Sequence, residues 1–357
     1  MQDQPEPSLD AKLRFLRSHA SQPDLKYPIE CVETHMSWLF FVDGRVLKLK
    51  KPVRFPYLDF STASAREFYC REELRLNSRL APGVYLGLLG LQAMGDELAL
   101  IPEERLPAPG KTVDWLVAMR RLPAQHVLQR RIADARVQTH DIDALLAVLA
   151  SFYRLAPQAG LTAQEYLARF QREQASNREV LLRPQFQLRD AASALDRLDA
   201  ALLAHATLLG ERATHGHLVD GHGDLRPEHV WLLDPPVVID CLEFNASLRQ
   251  VDPFDEIAFL ALECEMAGAA PWIAARLIAG VAAALGELPS PALMQLYTAH
   301  LALRRARLAM AHLLDPAPRE PQRWPPLAQR YIDRAVAALH ALDASPVVNA
   351  ATNRGIP

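Results

Sequence analysis

Two short runs constrain this chain more than anything else in it. Residues 222–230 read His-Gly-Asp-Leu-Arg-Pro-Glu-His-Val, and Val237-Val238-Ile239-Asp240 follows the turn Asp234-Pro235-Pro236. The first has the form of an ordered loop and the second that of a buried strand ending on an acid. The spacing therefore predicts a loop, a short hairpin and a strand, with carboxylates at Asp224 and Asp240 near its two ends.

The rest of the chain has a clear order. Residues 1–26 form a polar lead-in with one short helix, and the chain turns strand-like from Ile29. Trp38 to Val42 is aromatic and β-branched, Asp43-Gly44 gives a tight turn, and Arg45 to Lys51 returns, which is a hairpin signature. Alternation along the return strand puts Val46, Lys48 and Lys50 on one face and Leu47 and Leu49 on the other. A helix follows over about 61–80, with Ser64 and Glu67 at capping-box spacing and Ala81-Pro82-Gly83 as its stop. Glu73 falls on that helix's apolar stripe with Tyr69, Leu76 and Leu80, so it needs a cation, and a lysine of the hairpin is the nearest candidate.

Short strand-like pieces fill 84–120 and end in Trp115-Leu116-Val117-Ala118-Met119. Residues 120–123 read as a connector. Beyond it the pattern is mostly helical, with Thr162 and Glu165 capping a long helix, another helix over 189–209, and more from about 271 to 340. The expected layout is an N-terminal sheet-and-helix region over 27–119, a hinge at 120–123, a helical region over 124–344 and a frayed tail at 345–357. The helical region carries a loop at 220–230 and a hairpin at 231–245. This order predicts an α+β protein, a small antiparallel sheet with one helix followed by a larger helical lobe, which is the plan of the bilobal protein-kinase-like fold.

Composition narrows the function. A net charge of -3 over 357 residues gives no reason to expect nucleic-acid binding. Lys48, Lys50, Lys51 and Arg54 make a local basic patch that reads equally well as a solvated strand end. The four cysteines (Cys31, Cys70, Cys241, Cys264) form no Cys-x-x-Cys pair, which argues against a zinc knuckle or redox dithiol and suits a reducing cytosol. The start of the chain lacks an apolar signal core, and the longest apolar stretch, 277–285, is far short of a bilayer span, so the expectation is a cytoplasmic protein without membrane contact. Gly110-Lys111-Thr112 is no P-loop, because Arg105 stands where that motif needs its first glycine.

The chain resembles the aminoglycoside/choline phosphotransferase family, and within it a group of bacterial aminoglycoside-phosphotransferase-like enzymes. The resemblance spans roughly residues 27–270 and rests on 33–38, 50–53, 58–61, 79–82 and 240–245 besides the His-Gly-Asp loop. It implies ATP and Mg2+ as cofactors and a hydroxyl of a small molecule as phosphoryl acceptor. Many relatives carry a P-loop kinase domain after this region, which leaves room for a separate P-loop kinase partner.

By the same resemblance Asp224 is the catalytic aspartate, His222 braces its loop and Arg226 reaches the transferred phosphate. Asp240 is the magnesium ligand, with Glu243 beside it at Asp-x-x-Glu spacing. His229 stands where the family places an asparagine that binds a second metal. Lys48 is the choice for the phosphate-pairing lysine with Glu73 as its partner; Lys50 shares its face, and one of the two is expected at the surface. Thr34 and Ser37, with His35, replace a glycine-rich loop and would offer hydroxyls to phosphate. The backbone of Met119, Arg120 and Leu122 is the expected adenine hinge, and Glu256 the acid that anchors the catalytic loop. The leading reading is an ATP-dependent small-molecule kinase. The alternative is a nucleotide-binding pseudokinase without turnover, motivated by His229 and the missing glycine-rich loop. A metal hydrolase drawing on His215, His217, His222 and His229 lacks any His-Glu-x-x-His motif.

Overall fold

The computed structural model describes residues 7–19, 29–55 and 58–344. Residues 1–6 and 20–26 of the lead-in and the tail at 345–357 lie outside them. Along the chain the elements are α1 (Leu9–His19), β1 (Glu30–Glu33), β2 (Ser37–Val42), β3 (Arg45–Lys50), the two-residue strands β4 (Arg54–Phe55) and β5 (Leu58–Asp59), and α2 (Ala63–Asn77). Then come β6 (Tyr85–Met94), β7 (Glu97–Pro102), β8 (Lys111–Arg120), α3 (Leu128–Ala133), α4 (Thr139–Leu155), α5 (Ala163–Leu181), α6 (Ala191–Ala204) and α7 (Ala206–Thr214). The second half holds β9 (Val219–Asp220), β10 (Val230–Trp231), β11 (Val237–Val238), β12 (Gln250–Val251), α8 (Pro253–Met266), α9 (Pro271–Leu285), α10 (Pro291–Ala311) and α11 (Trp324–Asp343).

The chain divides into two compact units. The first comprises residues 1–152 and 222–249, the second 153–221 and 250–357.

The first unit is built on a six-stranded antiparallel sheet in the order β1-β2-β3-β8-β6-β7. The β2–β3 hairpin turns at Asp43-Gly44 with Asp43 at φ 48°, the left-handed backbone that a two-residue hairpin loop requires. The sheet is buried on both faces. One face sets Leu47 and Leu49 against Leu13 and Leu16 of α1. The other sets Val46 among Cys70, Trp115, Val117 and Val237 under α2.

Helix α1 is fastened as well as packed, because Lys12 Nζ donates to Asp114 Oδ2 (2.8 Å) and the Val113 carbonyl (2.9 Å) while Arg66 holds the same carboxylate through Nε (2.7 Å) and Nη2 (2.9 Å). Leu16 has no exposed surface. Leu16→Ala is therefore expected to lower the unfolding free energy by about 2–4 kcal/mol in a denaturant titration, the cost of lost burial plus an unfilled cavity.

Helix α2 is capped two residues earlier than the Ser64/Glu67 spacing predicts. Thr62 is its cap, accepting from Ala65 N at 3.1 Å, while Glu67 is engaged by Arg71 at 2.9 Å. The helix ends at Asn77, not Leu80.

The second unit is helical. The Thr162/Glu165 capping box on α5 is present with both of its bonds. The single helix expected over 189–209 is two, α6 and α7, parted at His205, whose φ -105° and ψ 18° leave the helical region. A buried knot fixes the start of α8: Arg212 grips Asp252 through Nε (2.5 Å) and Nη2 (3.1 Å), Tyr297 donates to it at 2.9 Å, and Asp252 caps the helix by accepting from Phe254 N at 2.9 Å. Glu256, one turn on, accepts from Tyr153 at 2.8 Å and packs under Gly221, where an added Cβ would lie 3.0 Å from its carboxylate. Glu256 thus lies beneath the residue that precedes His222. Among the described residues no helix is long and apolar enough to cross a membrane.

Candidate active site

Strand alternation delivers Lys48 and Lys50 to the same face of β3, opposite Glu73 on α2. Both lysines bind it: Lys48 Nζ lies 2.8 Å from Glu73 Oε1 and Lys50 Nζ 2.6 Å from Oε2. Lys48 also reaches Asp240 Oδ1 at 3.2 Å, and Lys50 also donates to Glu243 and sits 5.0 Å from the Phe60 ring centre. One surface lysine was expected of the pair. Instead Lys50 is 1% exposed, because two carboxylates and an aromatic face replace its lost water.

Burial pulls both lysine pKa values down, but the surrounding carboxylates outweigh it and hold both above the usual range. Burial works against ionised Glu73 too, and the two lysines reverse it, leaving its pKa lowered. Lys48 is the main cause that holds Asp240 well below the usual carboxylate range. Burial raises Glu243.

Asp240 stands on strained backbone at φ 64°, which a non-glycine residue keeps only when its surroundings dictate it. They do so here. Val238 N donates to the Leu80 carbonyl (3.1 Å), and Cys241 N donates to Asn77 Oδ1 (2.9 Å), whose Nδ2 donates back to the Glu73 carbonyl (2.9 Å). Asn77 is buried and joins the helix of Glu73 to the residue after Asp240. Sequence reasoning missed it; an amide four residues past a buried Glu was the available signal. Tyr85, also missed, places its hydroxyl 3.4 Å from Asp240 N.

The His-Gly-Asp loop is laced to the segment that runs from β11 to Asp240 and beyond. His222 is fully buried, with Nε2 2.9 Å from the Ile239 carbonyl and Nδ1 accepting from Asp224 N at 3.2 Å. Leu242 N donates to the His222 carbonyl at 3.1 Å. These bonds require a neutral ring with its proton on Nε2, and burial pushes its pKa down to about 4. Gly223 has φ 86°, and a Cβ there would meet the Leu248 carbonyl at 3.0 Å, so a larger residue would be both strained and crowded.

The buried ring also ties stability to pH. The unfolded chain protonates His222 near 6.5 and the folded chain near 4, so stability is present above 6.5 and lost as pH falls between these values. The loss is expected to reach about 3 kcal/mol. Denaturation at several pH values should show a shallower slope in His222→Gln across the window from about 6.5 to about 4.5, above the range where carboxylates dominate.

His229 bridges the two aspartates. Its Nδ1 lies 2.8 Å from the Asp224 carbonyl and 3.8 Å from Asp224 Oδ2, and its Nε2 lies 3.6 Å from Asp240 Oδ2. Both carboxylates thus lie within 4 Å of one imidazole. Arg226, which the resemblance puts on the transferred phosphate, spans Asp224 Oδ2 (3.1 Å) and Glu228 Oε1 (2.7 Å).

Three further expectations are corrected. Glu243, expected beside Asp240 at a metal, gives its Oε1 to buried Lys50. The Thr34 hydroxyl is spent in the β1–β2 turn, accepting from Ser37 N and donating to the Ser37 carbonyl, both at 3.0 Å, and Ser37 is buried, so neither offers phosphate a free donor. His35 stacks on Phe55 with ring centres 5.0 Å apart. Met119 is buried in the sheet, while Arg120 and Leu122 line a cavity of 470 Å³ with Pro82, Leu233, Pro235 and Val237. The N–H groups of Arg120 and Arg121 are already held, by the Val84 and Gly44 carbonyls at 2.8 Å each.

Among the described residues no group of three or more His, Cys, Asp or Glu makes a metal cage. The donor set does fit one cation shared with a ligand's oxygens. The Asp240 side chain is 49% exposed, and His229 turns Nε2 toward it. His217 meets Glu287 at 3.1 Å.

No protein-family model matches the chain. It is 30% identical over 295 residues to uncharacterized proteins of Mycobacterium tuberculosis (Rv2004c) and Mycobacterium bovis, a match covering 78% of this chain and 54% of each relative. The chain spans about half the length of these curated relatives. Its structure is similar to a choline kinase of Cryptosporidium parvum (TM-score 0.54, 10% identity, 88% of this chain and 90% of that one). It is similar also to choline kinase LicA of Streptococcus pneumoniae (0.53, 11%, 92% and 99%). A third is a thermostable mutant of aminoglycoside phosphotransferase APH(4)-Ia solved with AMP-PNP and hygromycin B (0.51, 13%, 95% and 100%). The chain therefore has the protein-kinase-like fold shared by choline kinases and aminoglycoside phosphotransferases.

Proposed function

We propose that the chain is an ATP- and Mg2+-dependent phosphotransferase that moves the γ-phosphoryl group to a hydroxyl of a small molecule. The observation that carries this reading is the convergence of Asp224 and Asp240 on one imidazole, with Lys48 on the second of them. Phosphoryl transfer asks a protein for positioning and charge more than for covalent chemistry.

Each residue has a part. Lys48, aimed by Glu73, neutralises the α- and β-phosphates. Asp240, fixed on strained backbone by Asn77 and the Leu80 carbonyl, holds the cation with His229 beside it. A divalent cation held there would supply charge neutralisation to the nucleotide's phosphates. Asp224 orients the acceptor hydroxyl and takes its proton, and Arg226 at 3.1 Å stands ready to turn from it toward the transferred group. The N–H of Leu122, next after the two hinge N–H groups that the sheet holds, binds the adenine edge. Four free cysteines suit a cytoplasmic setting.

The test is a labelled-ATP screen over a library of hydroxyl-bearing metabolites, including amino alcohols, sugars and aminoglycosides, with the Asp224→Ala variant as blank. Transfer to one acceptor class, absent in the blank, supports the reading. Transfer that survives in the blank overturns it.

A further inference from the structure

The two nitrogens of His229 have different roles. Nδ1 is 2.8 Å from the Asp224 carbonyl, which only accepts, so Nδ1 carries the proton of the neutral ring and Nε2 presents a lone pair. The ring cannot easily turn away: His229 is 7% exposed, and its own carbonyl accepts from Ile239 N at 2.9 Å. An imidazole that donates one N–H to a backbone carbonyl keeps the other nitrogen as an acceptor, here met by Arg226 Nη2 at 3.4 Å, and is in the state metal-binding histidines adopt.

Nε2 faces Asp240 Oδ2 at 3.6 Å, with Arg226 Nη2 at 3.4 Å and Glu228 Oε1 at 3.9 Å as its other charged neighbours. Two atoms each about 2.1 Å from one cation lie roughly 3.0 Å apart when adjacent and roughly 4.2 Å when opposite. The observed separation falls between these limits, so a single cation can take both atoms with little movement. Arg226 would leave Nε2, its longest contact, and keep Glu228.

We propose that His229 Nε2 and Asp240 Oδ2 form a mixed nitrogen–oxygen site that makes this chain favour a first-row transition cation, Mn2+ or Co2+, over Mg2+ as the companion of its nucleotide. The inference rests on the phosphotransferase reading and revises its cation: Mg2+ would serve, but Mn2+ or Co2+ would bind more tightly. Mg2+ is a hard ion that prefers oxygen, whereas imidazole nitrogen strengthens binding along the transition series. The site therefore discriminates through the one ligand that is not oxygen.

The probe is ADP with each cation in turn, followed by calorimetry, in the intact protein, in His229→Asn and in Asp240→Asn. Substitution by Asn returns an amide oxygen to the same position. ADP with Co2+ is expected to bind at least about tenfold more tightly than ADP with Mg2+ in the intact protein. In His229→Asn the ratio should fall to near that of the free ADP complexes, and the visible Co2+ spectrum should lose its nitrogen-ligand shift. Asp240→Asn should weaken every cation. An unchanged Co2+/Mg2+ ratio and spectrum in His229→Asn, with ADP still bound, overturns the cation inference alone. Failure of ADP to bind under any cation overturns the nucleotide reading and the inference with it.

Discussion

Asp224→Ala is expected to reduce phosphoryl transfer by a factor of about 10²–10⁴, the usual contribution of a positioned general base, while leaving nucleotide affinity within a few-fold of the parent. Asp224 touches neither lysine. Its Oδ2 meets Arg226 and lies 3.8 Å from His229 Nδ1, and its backbone, not its side chain, holds the loop together through His222 and His229. The carboxyl group can therefore be removed without unlacing the loop. Arg226 keeps Glu228 as a partner in the variant, so its charge is not stranded. Steady-state kinetics on the acceptor found by the screen, with ATP affinity measured separately, separates the two effects. A variant that loses ATP binding and turnover together would mean that Asp224 is structural.

Lys50→Met is expected to cost about 3–5 kcal/mol of stability, the penalty for stranding a buried charge. Among the described residues Lys50 is the cation at hydrogen-bond distance from Glu243, and it shares Glu73 with Lys48. Without it two buried carboxylates depend on Lys48 alone. Adding Glu243→Leu should recover much of the loss, since a buried ion pair replaced on both sides by apolar groups is often near neutral. Lys48→Met has a different signature, because Lys48 also holds half-exposed Asp240 and its loss should fall mainly on nucleotide binding. Chemical denaturation of the two single variants and the double variant measures the coupling directly. Additive losses would show that Lys50 and Glu243 do not act as a pair.

Local chemistry made part of this protein legible from its residues. Asp43-Gly44 between two β-branched runs admits little but a hairpin, and the period of two then puts Lys48 and Lys50 on one face. Glu73 on an apolar stripe demands a cation, and it has two. A short hairpin follows the His-Gly-Asp loop, but its second strand stops at Val238 and Asp240 stands beyond it on left-handed backbone.

The misreadings share a cause, which is competition for partners that a linear pattern does not reveal. Ser64 and Glu67 had capping spacing, but Thr62 lay nearer the helix start and Glu67 had Arg71. Thr34 had a free-looking hydroxyl until the turn closed on it. Glu243 had metal spacing from Asp240, yet Lys50, 193 positions away in sequence, was the closer charge. Asn77 is ordinary in sequence and becomes a joint only when the chain brings Cys241 to it. These are long-range contacts, fixed by packing rather than by neighbours in the chain.

In the proposed mechanism Lys48, Asp240 and Asp224 share the work of the site. The first two hold the charged nucleotide, and the third readies the acceptor. Calorimetric titration of ATP with and without divalent cation, in the parent, Asp240→Asn and Asp224→Asn, separates these roles. Binding is expected to depend on the cation in the parent and equally in Asp224→Asn, and to lose its cation-dependent part in Asp240→Asn. ATP binding that ignores the cation in the parent, or that is as strong in Asp240→Asn as in the parent, would contradict this division of roles.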